Sequence, residues 1–230
     1  MEALRSLFES GAPDALQVPL GVRLEELYGG PLALREECLY SNFVSSMDGV
    51  VALEGVSSGP TLSGRSEGDR FVMGLLRACA DGVLVGAQTY RDETGHRWTP
   101  DYIYPPCAED FAALRAALGL AAEPELVVLS RSGGPAREMP DVLAELRSRG
   151  WRRVLCEGGP QVIGQLLRAS LVDDVFLTLS PVLAGRDRAW RPGMVGGVEL
   201  LPDHGLWGRL ASVRRQGSHL FLRYDLRPAA

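Results

Sequence analysis

Residues 152–167 read RRVLCEGGPQVIGQLL, and the order of residue types in that stretch decides the fold class. Arg152–Glu157, with Val154, Leu155 and Cys156 at its centre, reads as a short buried strand. Pro160–Ser170 then places Val162, Ile163, Leu166 and Leu167 at helical spacing. Pro160 suits a first helical turn, where its missing N–H costs nothing. Between strand and helix lie Gly158 and Gly159, which let a ligand come close to the backbone. The N–H groups opening such a helix, together with its dipole, form an anion site that suits a cofactor pyrophosphate. A lone Gly-Gly-Pro is read equally well as a tight turn with nothing bound. The G-x-G-x-x-G fingerprint is missing, so a dinucleotide site here needs another architecture than the Rossmann one.

The same strand-then-helix grammar extends outward. Gly82–Gly86 (GVLVG) and Glu125–Ser130 (ELVVLS) read as buried strands, Glu37–Ser45 as an aromatic and β-branched one, and Asp174–Ser180 as an alternating one. Val50–Leu53 reads as a short return strand. Helical spacing covers Ser66–Ala80, Ala108–Leu118 and Met139–Arg149. Ser66 can cap the first of these, with Glu67 and Asp69 in its opening turn where the macrodipole favours acids. Arg91–Pro106 is polar, aromatic and proline-bearing, and reads as a long loop. Leu206–Arg215 and His219–Asp225, around Gln216-Gly217-Ser218, read as an antiparallel hairpin. Residues 1–36 are expected to form a lead-in arm with a short helix at Ala3–Ser10, and residues 37–230 one domain. The pattern as a whole is α/β, a mixed and mostly parallel sheet flanked by helices and closed by the hairpin.

Composition narrows the function. The 230 residues are 46% hydrophobic and 23% charged, with a net charge of −5, ordinary globular values. No basic tract stands out, which argues against nucleic acid. All 24 basic residues are arginine, which excludes a Schiff-base or general-base lysine. Cys38, Cys79, Cys107 and Cys156 are far apart and form no motif with His96, His204 and His219, so neither a disulfide framework nor a metal site is expected. No signal peptide is expected at the N-terminus, and no run approaches the roughly 20 apolar residues of a membrane span. The expected compartment is the cytoplasm, without membrane contact.

Three further segments carry candidate chemistry. Gly86-Ala87-Gln88-Thr89-Tyr90-Arg91 follows the GVLVG strand, at the carboxyl end where open α/β sheets bind ligands. Thr89 can donate to a phosphate there; a plain strand exit is the simpler reading. Ser130-Arg131-Ser132 can hold a ribose phosphate, with the arginine forking onto its oxygens; a polar loop is the simpler reading. Asp48, in Ser45-Ser46-Met47-Asp48-Gly49, can relay a proton if burial raises its pKa; Asp-Gly is equally a common turn.

Taken in order, SNFVSSMDG (41–49), Ser63-Gly64, LLRACADGVLVGAQTYR (75–91), VLCEGGPQVIGQLL (154–167) and LVDDVFLTLSPVLAG (171–185) resemble one family. It is the reductase half of the bifunctional riboflavin-biosynthesis deaminase/reductase, a branch of the dihydrofolate reductase superfamily. The resemblance spans Glu37–Arg227 and implies a three-layer dihydrofolate-reductase-like fold. It also implies NADPH as cofactor, reduction of a ribosylamino-pyrimidine phosphate to its ribitylamino form, and a homodimer.

By matching position, the resemblance puts Val44, Gly86, Ala87, Thr89 and Glu93 (or Asp92) at the cofactor. Gly158, Gly159, Gln161, Val162 and Ile163 would cradle its pyrophosphate, and Ser130 and Arg131 would take its adenosine end. Asp48 and Glu157 would face substrate and nicotinamide as catalytic residues, and Ser63, Arg65 and Arg70 would bind substrate.

The chain departs from the family in two ways. Only Arg131–Trp151 separates two strands that relatives space further apart, so an edge element is expected to be absent. The zinc motifs of the deaminase half, H-x-E and P-C-x-x-C, are missing, and Pro106-Cys107 has no second cysteine. The acidic substrate-binding helix of ordinary dihydrofolate reductases is not recognised either. Two rival readings stand: a reductase of the same fold acting on dihydrofolate, a pterin or another small substrate, and a non-catalytic NADPH-binding dimer.

Overall fold

The first strand of the sheet comes from the N-terminal arm. In the computed structural model, which describes residues 1–11, 14–130, 138–185 and 191–227, β1 (Arg5–Glu9) pairs antiparallel with a strand some 200 residues later, Arg5 opposite Arg215. The helix expected at Ala3–Ser10 does not form. Leu4, Leu7 and Phe8 have helical spacing, but only Leu4 is buried; Leu7 and Phe8 stay 50% and 44% exposed. Pairing at a sheet edge overrides so short a periodicity. β2 (Leu16–Gln17), α1 (Val22–Tyr28) and β3 (Ala33–Leu34) complete the arm, with β2 and β3 forming a small ribbon. Arg35 locks the arm to the sheet, reaching Asp14 at 2.8 Å, Asp174 at 3.1 Å and Asp225 at 2.8 Å.

β4 (Cys38–Ser45) is buried along almost its whole length. The return strand expected at Val50–Leu53 is absent. Val50 and Val51 are buried instead as irregular chain, with Val50 N–H on Ser46 Oγ at 2.9 Å and Val51 N–H on Pro192 O at 3.1 Å. α2 (Ser58–Leu62) leads to α3 (Glu67–Ala78), which Ser66 caps by accepting from Asp69 N–H at 3.2 Å. β5 (Gly82–Gly86) is buried throughout. The segment read as a loop over Arg91–Pro106 holds short helices: the end of α4 (Ala87–Asp92), α5 (Pro100–Ile103) and a 3₁₀ turn at Pro105–Cys107. Pieces this short carry too few periods to show in sequence.

α6 (Ala108–Ala117), β6 (Glu125–Leu129), α7 (Met139–Ser148), β7 (Arg153–Cys156), α8 (Pro160–Arg168) and β8 (Asp174–Leu179) follow as expected. β9 (Arg209–Gln216) and β10 (His219–Asp225) form the hairpin.

The eight-stranded sheet runs β1-β9-β10-β8-β4-β7-β5-β6. Pairs from β8 to β6 are parallel, and those from β1 to β8 antiparallel. Alternate strand residues feed two cores, as the two-residue period of a strand requires. Cys38, Tyr40, Val83, Val85 and Leu155 pack with α1, α3 and α6. Leu39, Leu84, Val154 and Cys156 pack with α7 and α8. Three layers result, with β6 at one edge. No helix among the described residues is long and apolar enough to cross a membrane.

Candidate active site

A cleft of about 1630 Å³ opens along the carboxyl ends of β4, β5, β6 and β7. Its backbone core is the meeting of two strand exits. A Cβ added at Gly86 would stand 3.1 Å from Val162 Cγ2, and one at Gly158 only 2.7 Å from Val162 Cβ. Packing therefore demands a glycine at 158 and leaves little room for a side chain at 86. Gly159 differs. A Cβ there would meet only Thr89 Oγ1, at 3.5 Å, within a 4 Å reach, so a side chain would project into the gap between the two exits. Gly159 also caps α8 without any side-chain hydrogen bond. The result is an approach to a helix start with a hydroxyl on its far side, a donor set that fits a diphosphate.

Gly86, Ala87, Thr89, Glu93, Gly158, Gly159, Gln161 and Val162 all line this cleft, as do Val44 and, beyond β6, Ser130. Asp92 lines it too and accepts from Gln88 Nε2 at 2.7 Å, while Glu93 accepts from Ser57 Oγ at 2.6 Å. The Gln161 amide lies against the backbone of residues 196–197, where a Cβ at Gly197 would come within 2.4 Å of its Oε1. Gly196 N–H donates to Pro160 O at 3.0 Å, pinning the first turn of α8. Ile163 is a correction. It is fully buried under α8 among Leu84, Val154 and Leu166, and its N–H is spent on Gly159 O at 3.2 Å. It shapes the core, not the cleft. Arg131 lies outside the described residues.

The candidate acids separate. Glu157 lines the cleft and is clamped by Arg77, whose Nε lies 3.0 Å and 3.2 Å from the two carboxylate oxygens and whose Nη2 lies 2.7 Å from Oε2. Asp48 is not among the residues lining the cleft. Its carboxylate accepts from Ser46 Oγ at 2.6 Å, Ala184 N–H at 3.0 Å and Gly185 N–H at 2.7 Å. Those bonds, the Ser46 hydroxyl first, hold it down at about 2, the reverse of the raised pKa a proton relay needs. Asp48 ties the turn after β4 to the chain after β8.

Sequence reasoning missed a second acid. Asp69, in the first turn of α3, is 3% exposed and lines the cleft. Burial pushes it up to about 6, against the opposing hydroxyls of Thr178 and Ser63. In sequence Asp69 reads as an acid of the helix's opening turn; the structure turns it to the cleft. A signal was present. Asp69, Met73 and Arg77 fall four residues apart on one helix face, and all three line the cleft. Ser63 is buried beside Asp69, while Arg65 and Arg70 line the same end. Arg70 Nε is buried without a hydrogen-bond partner, and neither arginine makes an ion pair among the described residues. Arg65 holds a left-handed backbone, φ 58°.

The sheet order, the flanking helices and the antiparallel C-terminal strands make a dihydrofolate-reductase-like fold. Residues 136–220 match the model of the RibD C-terminal domain family, in agreement with the resemblance read from the motifs. No curated protein matches the chain. Three solved structures share the fold. A pyrimidine reductase-like protein from Corynebacterium diphtheriae superposes with a TM-score of 0.64 at 20% identity, covering 84% of this chain and 93% of that one. RibD from Acinetobacter baumannii gives 0.57 at 16% identity over 84% of this chain and 59% of its own. A diaminohydroxyphosphoribosylaminopyrimidine deaminase/5-amino-6-(5-phosphoribosylamino)uracil reductase from Thermotoga maritima gives 0.57 at 16% identity over 84% and 57%. The chain thus spans less than two thirds of the latter two.

Proposed function

We propose that this chain is an NADPH-dependent reductase that converts a ribosylamino-pyrimidine phosphate to its ribitylamino form in riboflavin biosynthesis, as a cytoplasmic homodimer. The supporting observation is the gap between the two strand exits, where Gly159 leaves the start of α8 uncovered opposite Thr89. When bound, the reduced nicotinamide supplies hydride. The chain supplies the rest. Gly86, Gly158, Gly159 and Thr89 hold the diphosphate; Val44, Ala87, Glu93, Gln161 and Val162 line its path, and Ser130 the adenosine end. Arg65 and Arg70 take the substrate phosphate, and Ser63 lies beneath them. Glu157, fixed by Arg77, orients the substrate ring beside the nicotinamide, and the apolar walls at Phe43 and Val51 exclude water.

A second reading is favoured by Asp69. A buried carboxyl facing a reductase cleft is suited to an aminopyrimidinone ring of a pterin or dihydrofolate, whose adjacent N–H groups it accepts. One experiment separates the readings. NADPH is titrated first, by fluorescence and melting temperature; no response ends the reductase assignment. NADPH oxidation is then followed with 5-amino-6-(5-phosphoribosylamino)uracil and dihydrofolate side by side. Turnover of the first, lost selectivity for its phosphate in Arg70→Ala, and retained cofactor binding support the leading reading. Turnover of dihydrofolate alone supports the second. Binding without turnover of either supports a non-catalytic NADPH-binding protein.

A further inference from the structure

His96 is absorbed by none of these roles, yet it lines the cleft beside Glu157. Arg77 Nη2, which holds Glu157 Oε2 at 2.7 Å, also lies 3.1 Å from His96 Nε2. A guanidinium has donors only and keeps its charge. Nε2 therefore accepts, and the imidazole is neutral with its one proton on Nδ1. Burial, and then the Arg77 charge, hold the ring's pKa down at about 4.

The ring cannot easily turn. It packs edge-on against Trp98 at 4.8 Å and Tyr102 at 5.0 Å, both cleft-lining, and its backbone N–H donates to Glu93 O at 3.0 Å. The charged group in contact with the ring is Arg77 from α3, which in turn holds Glu157 at the end of β7. Nδ1 has no protein partner among the described residues.

We propose that His96 is a specificity-determining residue of the substrate half of the cleft, a fixed neutral Nδ1–H donor to a carbonyl oxygen on a planar nitrogen heterocycle. Glu157, held by the same arginine nitrogen, lines the cleft on the Nε2 side of the ring. Trp98 and Tyr102 line the cleft on either side of the ring's contacts. This inference rests on the reductase reading for its substrate, but not for its tautomer.

The test has two arms. Imidazole ¹⁵N shifts of the free protein are expected to show Nδ1 protonated and Nε2 bare from about pH 5.5 to 8. An Nε2–H tautomer, or titration within that range, overturns the proposal whatever the enzyme reduces. In the second arm His96→Phe keeps an aromatic ring and removes the donor, while His96→Asn restores an N–H. KM for 5-amino-6-(5-phosphoribosylamino)uracil is expected to rise roughly tenfold in His96→Phe, to recover at least partly in His96→Asn, and the NADPH Kd to stay within about twofold. An unchanged KM in His96→Phe, or a KM and an NADPH Kd that rise together, overturns it. If His96→Phe does not fold, His96→Asn with near-native KM and the ¹⁵N shifts decide in its favour, and a tenfold loss in His96→Asn decides against. Failure of the wild-type protein to bind NADPH removes the reductase reading and leaves the tautomer result standing.

Discussion

The turn after β4 and the first turn of α3 each bring one aspartate to the carboxyl end of the sheet, and their surroundings drive them in opposite directions. Asp48 gathers a hydroxyl and two backbone N–H groups and sits at about 2. Asp69 also has hydroxyls, from Thr178 and Ser63, yet burial prevails and it sits at about 6. Hydrogen bonds to a carboxylate at the surface stabilise the charge at little desolvation cost, whereas in a buried wall the lost hydration outweighs them. A carboxyl at a strand-end turn is thus a poor guess for proton chemistry here, and a carboxyl on the buried side of a cleft helix a better one.

The harshest test of that contrast is Arg77→Met. It strips Glu157 of its counter-ion inside the wall that also holds Asp69, and it removes the bonds from Arg77 to Arg97 O and Thr99 O. An uncompensated buried carboxylate is expected to cost about 3–5 kcal/mol, read as a lower urea midpoint at unchanged m-value. The negative charge of Glu157, which already raises Asp69, would then act on it unopposed. Stability within about 0.5 kcal/mol of wild type would mean that this wall is wetter than its burial implies, and the contrast with Asp48 would lose its basis.

The two adjacent glycines sharpen the same point from the backbone side. Gly158→Ala drives a methyl into Val162 and is expected to cost about 1–3 kcal/mol. Gly159→Ala meets only Thr89 and should leave the melting temperature nearly unchanged. It should weaken NADPH binding by about tenfold or more, because the methyl occupies the space a diphosphate needs at the start of α8. Equal effects of the two substitutions on stability would show that the gap at Gly159 is packing and not a binding space.

Asp69→Asn comes next. The folded pKa, about 6, is above the ordinary carboxylate value of roughly 3.9. The folded state therefore binds the extra proton, and stability is fullest below about pH 4 and falls as pH rises through about 6. At pH 7 that loss is of order 3 kcal/mol. The neutral amide escapes most of it, so Asp69→Asn should be about 1–2 kcal/mol more stable than wild type at pH 7 and nearly level with it at pH 4. A difference that does not depend on pH would place Asp69 in solvent. Loss of turnover with retained NADPH binding in the same variant would support its contact with substrate.

How much of this was legible in the sequence follows from the range over which each feature is decided. The strands Gly82–Gly86 and Arg153–Cys156, and the helix opened by Pro160, declare themselves through local pattern alone. The edge strand at Arg5–Glu9 does not, because its partner β9 lies at the other end of the chain, and Leu4, Leu7 and Phe8 mimic a helix. Gly158, Gly159 and Thr89 were legible as a cleft because glycine at a strand exit is a local signal. Ile163 was not, since the direction of a side chain in the first turn of α8 depends on the core beneath it. Asp69 was read as a helix-dipole acid, which it also is; that it faces a cleft is set by the packing of α3 on the sheet. Asp48 draws attention by its position after a strand and by the resemblance, but its partners at Ala184 and Gly185 are more than a hundred residues away.

The smallest effect belongs to Asp48→Asn, and its pH dependence is the mirror of the one above. Here the folded pKa of about 2 lies below the unfolded value of roughly 3.9, so the ionised group contributes stability above about pH 4 that fades as pH falls toward about 2. The amide can still accept one backbone N–H, but its NH₂ end faces the second and repels it. Stability at pH 7 should therefore drop, by less than Arg77→Met or Gly158→Ala costs, because water can replace the lost bonds at this exposed turn. The deficit should vanish toward pH 2, where the wild-type carboxyl is protonating, whereas the gain in Asp69→Asn vanishes already near pH 4. NADPH affinity and turnover should be unchanged, since the Asp48 carboxylate joins two loops and is not among the groups lining the cleft. A Asp48→Asn protein that folds normally but loses turnover would return this residue to the chemistry and reverse the assignment of roles between the two aspartates.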